Sequence, residues 1–513
     1  MQPVSQAWKT AHEQRLVPES YVEIVLNVGD PDAQADAKSA SNGEEYFSDS
    51  SSLVEEPEKN PIQYATLEKN IWVLDGTSIV VPDHPPYGEN GYISEYLSGQ
   101  DGSFEVHPKI TISFSKVFDS LIPGLTITFG TAYEEYATSF KVTAYNGPDV
   151  VSEMTVVNKE MTAVVYQDIN GYDRIEIEIL TWSLPYRRAR IESIIVGIKK
   201  TYSKKEIMSY SHSMSSSPLS SELPEAEIEF EITNLNGEYN PDNPKGAEKY
   251  LMERQEITAR YGYELNGTIE WIKAGTFFMS EWDTPQNGIT ATFTARDSIE
   301  FMSDSYTGPS SGSLYSIAEA AFLQANLPKT STGGNRWIIS ASLKSINAPD
   351  DVDLSVYTIA ETLQLVANAS CCVFYQGRDS ILHIEPLSEE TTDYEINRFN
   401  SYENSEISLT KQLKGVDVNN GAAVLEVGTV GETQKVDNPL ISSDRAAQVA
   451  TWVAEYLKNR RTLSGNFRAD PRLDVLDRVT NINQFATSTV LVTEVKYTYN
   501  GAFRGSYEGR SGV

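Results

Sequence analysis

The sequence predicts a mainly β protein with a smaller α+β part, in which a β-sandwich is inserted into the first barrel-like domain. Three observations predict this. Short alternating or apolar runs, broken by Gly, Pro and Asp, fill residues 65–199 without any helical period. A strand signal at 21–28 runs straight into polar, acidic sequence, with no hairpin partner behind it. Helical periods are confined to three segments in the C-terminal part of the chain.

The first element is "ESYVEIVLNVGDPDAQ", residues 19–34, where Val22, Ile24, Leu26 and Val28 alternate with Tyr21, Glu23, Val25 and Asn27. Such β-branched alternation favours a strand with one buried face. Its partner is sought downstream, in "EAEIEFEITN" at 225–234, where Ala226, Ile228, Phe230 and Ile232 alternate with four Glu. Everything between the two would then be an insertion, which surface loops and neighbouring termini tolerate.

Within that insertion, residues 109–118, 124–130, 139–147, 161–169, 173–182 and 188–198 each read as a strand. Six strands at this spacing describe a β-sandwich or jelly roll. The Ser-rich, Pro-punctuated stretch after residue 199 reads as an exposed connector. Strand pairs then follow, joined by "LNG" and "PQNG" turns, and suggest a twisted antiparallel barrel.

Helices are expected at 313–327, 358–370 and 443–460. The first places Leu314, Ile317, Ala318, Ala321 and Phe322 on one stripe behind a Ser313 N-cap. The second repeats the pattern with Ile359, Leu363 and Val366, and the third with Val449, Trp452, Val453, Tyr456 and Leu457. A hairpin from "CVFYQGR" and "SILHIEPL" separates the last two, and "STVLVTEVKYTYNG" and "GSYEGR" close the chain as strands.

With 41 basic against 72 acidic residues, the chain carries a net charge of −31. That argues against tight phosphate binding, because nucleic-acid affinity comes largely from basic side chains displacing counterions. No secretory signal or membrane-length apolar run is visible, so folding in a cytoplasm is expected. Cys371 and Cys372 are adjacent and read as small buried residues opening a strand, not as a disulfide.

Catalytic chemistry is not legible, and neither a metal site nor a cofactor is expected. The histidines His12, His84, His107, His212 and His383 are scattered, with no pair at metal-ligating spacing. "GPSSG" at 308–312 matches a nucleophile-elbow pattern around Ser310, but lacks the strand the elbow needs. Asp470, Asp474 and Asp477 in "RADPRLDVLD" read as turn caps paired with Arg468, Arg472 and Arg478, since a glycosidase pair must face a cleft from two sides. The loop at 234–246 is rich in oxygen ligands yet lacks calcium-loop spacing. The basic run Arg187, Arg188, Arg190, Lys199, Lys200, Lys204 and Lys205 is read as neutralising acidic neighbours or a partner subunit at the joint between inserted and host domains.

The inserted domain carries the better clue. Trp72, Tyr87, Tyr92, Tyr96 and Phe104 stand among Gly, Asp and Pro, where loops are expected. Aromatic faces ringed by polar groups suit sugars. A glycan, a protein contact and plain packing all remain open readings of these five residues.

The stretches "EIEFEITNLNGEYNPDNPKG", "GTFFMSEWDTP" and "FTARDSIEFM", then "YTIAETLQLVANASCCVFYQGRDSILHIEPL", "NPLISSDRAAQVATWVAEYL" and "RADPRLDVLDRV", resemble, in this order, the hub proteins of phage tail tips and baseplates. The resemblance covers roughly residues 15–30 and 200–513. Residues 62–198, with "WVLDGT" and "PYRRARIESIIVG", are similar to discoidin-like or galactose-binding jelly rolls.

The likeness implies tube-like β-barrel hub domains, the first of them split. On this reading the barrel's first segment is 1–33, an acidic linker 34–61, the inserted jelly roll 62–199 and the barrel's remainder 200–305. An α+β domain at 306–400 and a second barrel-like domain with one helix at 401–513 complete the chain.

It further implies a virion tail-tip protein, not an enzyme. The chain would be a homotrimer assembled in host cytoplasm and continuing the tail tube, with DNA passing through its ring. Distal tail or tail-tube proteins, the tape measure protein and tail fibres would be partners, with host-surface glycan a possible further one. A carbohydrate-active cell-wall enzyme with an attached binding domain is the alternative reading.

Overall fold

The computed structural model describes the 513-residue chain except for residues 15–17, 46–47, 55–63, 66–78, 81–88, 220–221, 244–249, 252, 287, 329–333, 351 and 513. A short helix, α1 (Gln6–Glu13), opens the chain, capped where the Ser5 hydroxyl accepts the Trp8 amide proton. Strand β1 (Ser20–Gly29) follows, with alternate residues buried as its sequence demands. Val22, Ile24, Leu26 and Val28 are at most 1% exposed, each burial stabilising by roughly 1.5–3 kcal/mol.

The chain then leaves the first sheet. Helix α2 (Pro31–Asp36) and strand β2 (Lys38–Ser41) lead into β3 (Tyr92–Leu97), β4 (Lys109–Phe118), β5 (Ile122–Phe129), β6 (Ala137–Asn146) and β7 (Asp149–Val157). Strands β8 (Thr162–Ile169), β9 (Tyr172–Trp182) and β10 (Arg188–Ile195) complete the set. They form a sandwich of two antiparallel sheets, in the orders β7-β6-β9-β4-β2 and β8-β5-β10-β3. Ile110, Ile112, Leu125, Ile127, Phe140, Ile175 and Ile177 meet in a core separate from the rest of the protein.

The segment read as an acidic linker is partly built into this sandwich. Strand β2 pairs with β4, and Leu53 and Val54 join the core, as does Ala33 from the segment assigned to the barrel. Strand β7 is absent from the sequence reading because it is a sheet edge, with almost every side chain exposed and so without a buried period.

The chain returns through β11 (Gly197–Tyr202), β12 (Ile207–Ser215), β13 (Glu225–Thr233), β14 (Glu256–Leu265), β15 (Thr268–Asp283) and β16 (Thr290–Arg296). Strand β12 corrects the reading of an exposed connector. Ile207, Tyr210, His212 and Met214 point inward while serines take the outer face, so a Ser-rich stretch is a strand with one polar side.

The rest of the chain supplies α3 (Leu314–Ala325), β17 (Trp337–Ile339), α4 (Ile359–Ala369), β18 (Val373–Gln376) and β19 (Leu382–Glu385). Next come β20 (Thr391–Ile396), β21 (Glu406–Leu409), β22 (Leu413–Val418), β23 (Ala423–Glu426), β24 (Glu432–Val436) and α5 (Ala446–Leu457). Strands β25 (Arg461–Phe467), β26 (Arg478–Ile482), β27 (Thr487–Tyr499) and β28 (Phe503–Ser511) end it. The expected N-cap Ser313 is present on α3, and α4 begins with a capping box of Thr358 and Glu361.

One 13-stranded sheet, in the order β11-β1-β14-β15-β16-β13-β12-β27-β28-β25-β21, runs through the whole host, with β20 and β26 branching from β27. The opening strand and the 225–233 strand therefore share a sheet, but they are not neighbours. Between them stand β14, β15 and β16, because a two-residue turn ties β14 to β15, a longer connection ties β15 to β16, and β16 takes the edge of β13. The partners of β1 are β14 and β11.

Strand β27 joins the two halves. Its first residues pair with β26, its last with β12, and β28 lines its other edge. A further core gathers α3, α4, β18 and β19 together with β22 and α5. Helix α5 thus packs with the α+β part and not inside a second barrel.

Candidate functional site

A dense polar constellation lies where the two halves meet, around residues 468–477. Arg378 is 3% exposed and donates to the carbonyls of Pro471 and Leu473, the latter at 2.7 Å, while its Nε lies 3.3 Å from Asp474. Its guanidinium also sits over the rings of Tyr261 and Tyr497. The Tyr497 hydroxyl donates to the Leu473 carbonyl at 2.7 Å, and the Tyr263 hydroxyl to that of Ala469 at 3.2 Å. Asp470 accepts from the Trp8 indole at 3.1 Å and from the Arg472 Nε at 2.8 Å. The arrangement fastens an irregular, buried segment by satisfying its carbonyls, which would otherwise be costly to bury.

The three aspartates of this segment are structural, with partners that differ in part from those expected. Arg472 holds Asp470, but Asp474 is held by Arg378. Arg468 donates instead to the carbonyls of His12 and Gln14, and Arg478 to that of Ser388. Asp477 accepts from the Asp474 amide at 2.8 Å, and burial raises its pKa. Side-chain oxygens engaged in this way are poorly placed to act as an acid and base on a sugar.

The histidines are placed separately. His12 stacks on Trp8, and burial lowers its pKa. His212 lies in the host core against the Tyr261 hydroxyl, its pKa well lowered by burial and then by Arg378. Burial opposes charging of His383, yet the hydrogen bond its Nε2 donates to the Asp379 carboxylate at 3.1 Å and the nearby Glu385 raise its pKa overall. His107 meets Glu178 at 2.8 Å, and His84 lies outside the described residues. Among the described residues no group of His, Cys, Asp and Glu could hold a metal ion. In the loop after β13, Asn234 accepts the Tyr239 amide, and the Tyr239 ring packs edge-on against Phe293, a structural use of that segment.

Much of the basic run is engaged within the chain. Arg187 and Arg190 both face the fully buried Glu135, at 3.1 and 3.6 Å, and Glu135 also accepts from the Trp182 indole at 2.8 Å. Arg188 donates to the Ser94 carbonyl, Lys200 pairs with Glu238 and Lys204 with Glu19.

Of the five aromatic candidates in the inserted domain, Trp72 and Tyr87 lie outside the described residues. Tyr92 and Phe104 are 1% and 4% exposed, packed into the sandwich core. They offer no face to a sugar, because both rings are packed into the core of the sandwich. Tyr96 is half-buried at the rim of the same core. What sequence reasoning missed is the apolar edge of the sandwich, where Val150, Val157 and Tyr166 are 55%, 80% and 64% exposed. The apolar content of "DVVSEMTVV" is the signal for it.

Among the described residues no helix is long and apolar enough to cross a membrane. No family model and no curated protein matches the chain. Among solved structures it is similar to the 43 kDa tail protein of prophage MuSo2 from Shewanella oneidensis, at 12% identity over 60% of this chain and 94% of that one, with a TM-score of 0.43. It is similar also to a tail protein from Neisseria meningitidis MC58, at 11% identity over 61% and 93% of the two chains, with a TM-score of 0.44. A third similarity is to prophage tail protein gp18 from Listeria monocytogenes EGD-e, at 11% identity over 60% and 91%, with a TM-score of 0.39.

Proposed function

We propose that this chain is a structural protein of the tail tip of a tailed phage or prophage particle, a hub subunit that assembles as a homotrimeric ring through which DNA passes. The observation that carries the reading is the single sheet that runs from β11 through β27 to β21 and joins two strand-built halves into one wall. Its segments follow the order in which the sequence resembles tail hubs. A net charge of −31 suits a conduit, since acidic walls repel phosphate and would let a genome slide without adhering. Distal tail or tail-tube proteins, the tape measure protein and tail fibres are the partners this role requires.

The inserted sandwich would project from the ring as a contact module for a host-surface glycan or a neighbouring protein. The exposed Val150, Val157 and Tyr166 favour the protein contact. Sedimentation of the purified chain tests the main reading. A trimer seen as rings in electron micrographs is the expected result, and a monomer with hydrolytic activity on cell-wall glycan would overturn it.

A further inference from the structure

The outer face of the strands that join the two halves carries a charge arrangement that the fold itself does not require. Glu494 in β27 stands directly opposite Glu508 in β28, and on its other side opposite Ser215 in β12. Like charges in cross-strand register are unfavourable. Neither carboxylate has a hydrogen bond or ion pair among the described residues. Burial, together with the charges of Glu508 and Glu222, raises the pKa of Glu494.

This pair lines two clefts at once. One, of about 650 Å3, sets Glu225, Glu403, Glu406, Glu494 and Glu508 against a single cation, Lys496. The other, of about 500 Å3, shares Ser215, Glu494 and Glu508 with it and brings an apolar wall of Leu219, Leu223, Trp452 and Tyr456. The four wall residues are all half-buried, and Arg510 sits over the Tyr456 ring at 5.2 Å, so aliphatic and cationic groups already lie against this wall. The sheet face between the clefts is lined by the small side chains of Ser213, Ser215 and Ser506, which leave room for a backbone to approach.

We infer that the joined clefts receive an extended polypeptide segment of another protein, whose lysines or arginines neutralise Glu494 and Glu508 and whose apolar side chains lie on Trp452 and Tyr456. An extended chain places alternate side chains on opposite sides, which matches carboxylates on one flank and aromatic rings on the other. Nucleic acid is refused by the same carboxylates. The inference uses only this surface and stands apart from the tail-tip reading.

The test uses the full chain and a short labelled peptide alternating lysine and leucine, followed by fluorescence anisotropy, with a glutamate–leucine peptide as control. The lysine peptide should bind, weaken steeply with added salt, and form carbodiimide cross-links at Glu494 or Glu508. The double variant Glu494→Gln, Glu508→Gln should bind it about tenfold more weakly, the loss of two partly solvated ion pairs. Its melting temperature should hold or rise, because a like-charge pair has been removed, and Trp452→Ala should weaken binding separately. Absence of binding, equal binding by the glutamate peptide or by the double variant, or displacement by spermine at matched concentration would each overturn the inference.

Discussion

Gly29 and Gly197 face each other in register at the end of the ladder between β1 and β11. The first is the last residue before the inserted sandwich and the second the first residue after it, so the insertion enters and leaves the host through one pair of glycines. A Cβ at Gly29 would meet the Val196 carbonyl oxygen at 2.5 Å, and one at Gly197, where φ is +145°, would meet that of Val28 at 2.7 Å. Only glycine allows the two backbones to close so tightly at the neck.

From this neck it follows that the sandwich is removable. Replacing residues 30–196 by Asn-Gly should turn β1 and β11 into an ordinary hairpin, since the register up to Gly29 and Gly197 is already antiparallel. The isolated 30–196 piece should show one cooperative transition in calorimetry, because it has a core of its own, and the shortened host should still fold around its two. A piece that fails to melt cooperatively would count against the separation.

Gly29→Ala should destabilise the host by about 1–3 kcal/mol in urea unfolding, as overpacking against backbone does. Gly197→Ala should cost more, because its positive φ adds strain to the collision. Equal stability of either variant and the parent chain would show that the neck can open.

Arg378→Met should cost about 3–5 kcal/mol, the usual effect of removing one partner of a buried charge network. The Pro471 carbonyl would lose its side-chain donor, the Leu473 carbonyl would keep only the Tyr497 hydroxyl, and the Asp474 carboxylate would lose its buried cation. The expected sign is a lower urea midpoint, with faster hydrogen exchange in residues 468–477.

Asp297 gives a pH dependence. It is 4% exposed, and burial pushes its pKa up to about 7 against the hydrogen bonds it accepts from the Ile299 and Ala226 amides. A carboxyl whose folded pKa is raised contributes stability at low pH that is lost as pH rises through the folded value. Between pH 4 and 7 this group alone should therefore lower host stability as pH increases, by up to roughly 1.4 kcal/mol per unit. Asp297→Asn should flatten that slope when unfolding is followed at pH 5 and 7.5, and an unchanged slope would refute the assignment. His212, whose pKa is lowered by burial, acts in the opposite sense and removes stability as pH falls below its unfolded value.

The parts of this architecture that could be read from sequence are those with a one-sided period. Strand β4 was expected at 109–118 and spans Lys109–Phe118, and β9, α3 and α4 lie within two residues of expectation, because each buries one face and exposes the other. Strand β7 was hidden by its position at an edge, and β12 by serines that resemble a linker until Tyr210, His212 and Met214 are seen to alternate with them. The neighbour of β1 was misassigned because both "EAEIEFEITN" and "EITARYGYEL" alternate at strand length. What separates them is the network of hairpins, and pairing partners in a many-stranded sheet are not written in local periodicity. The clefts around Glu494 escaped for the same reason: their acidic residues come from distant segments that only the fold brings together.

The split first strand also sets a timetable for synthesis. β1 leaves the ribosome long before β11 and β14, the two edges it must join, have been translated. The sandwich, complete in the interval, is free to fold first, and its closure draws Gly29 and Gly197 together, so the longest loop of the host is shut before host pairing begins. The appendage would then shorten the search by which β1 finds its partners.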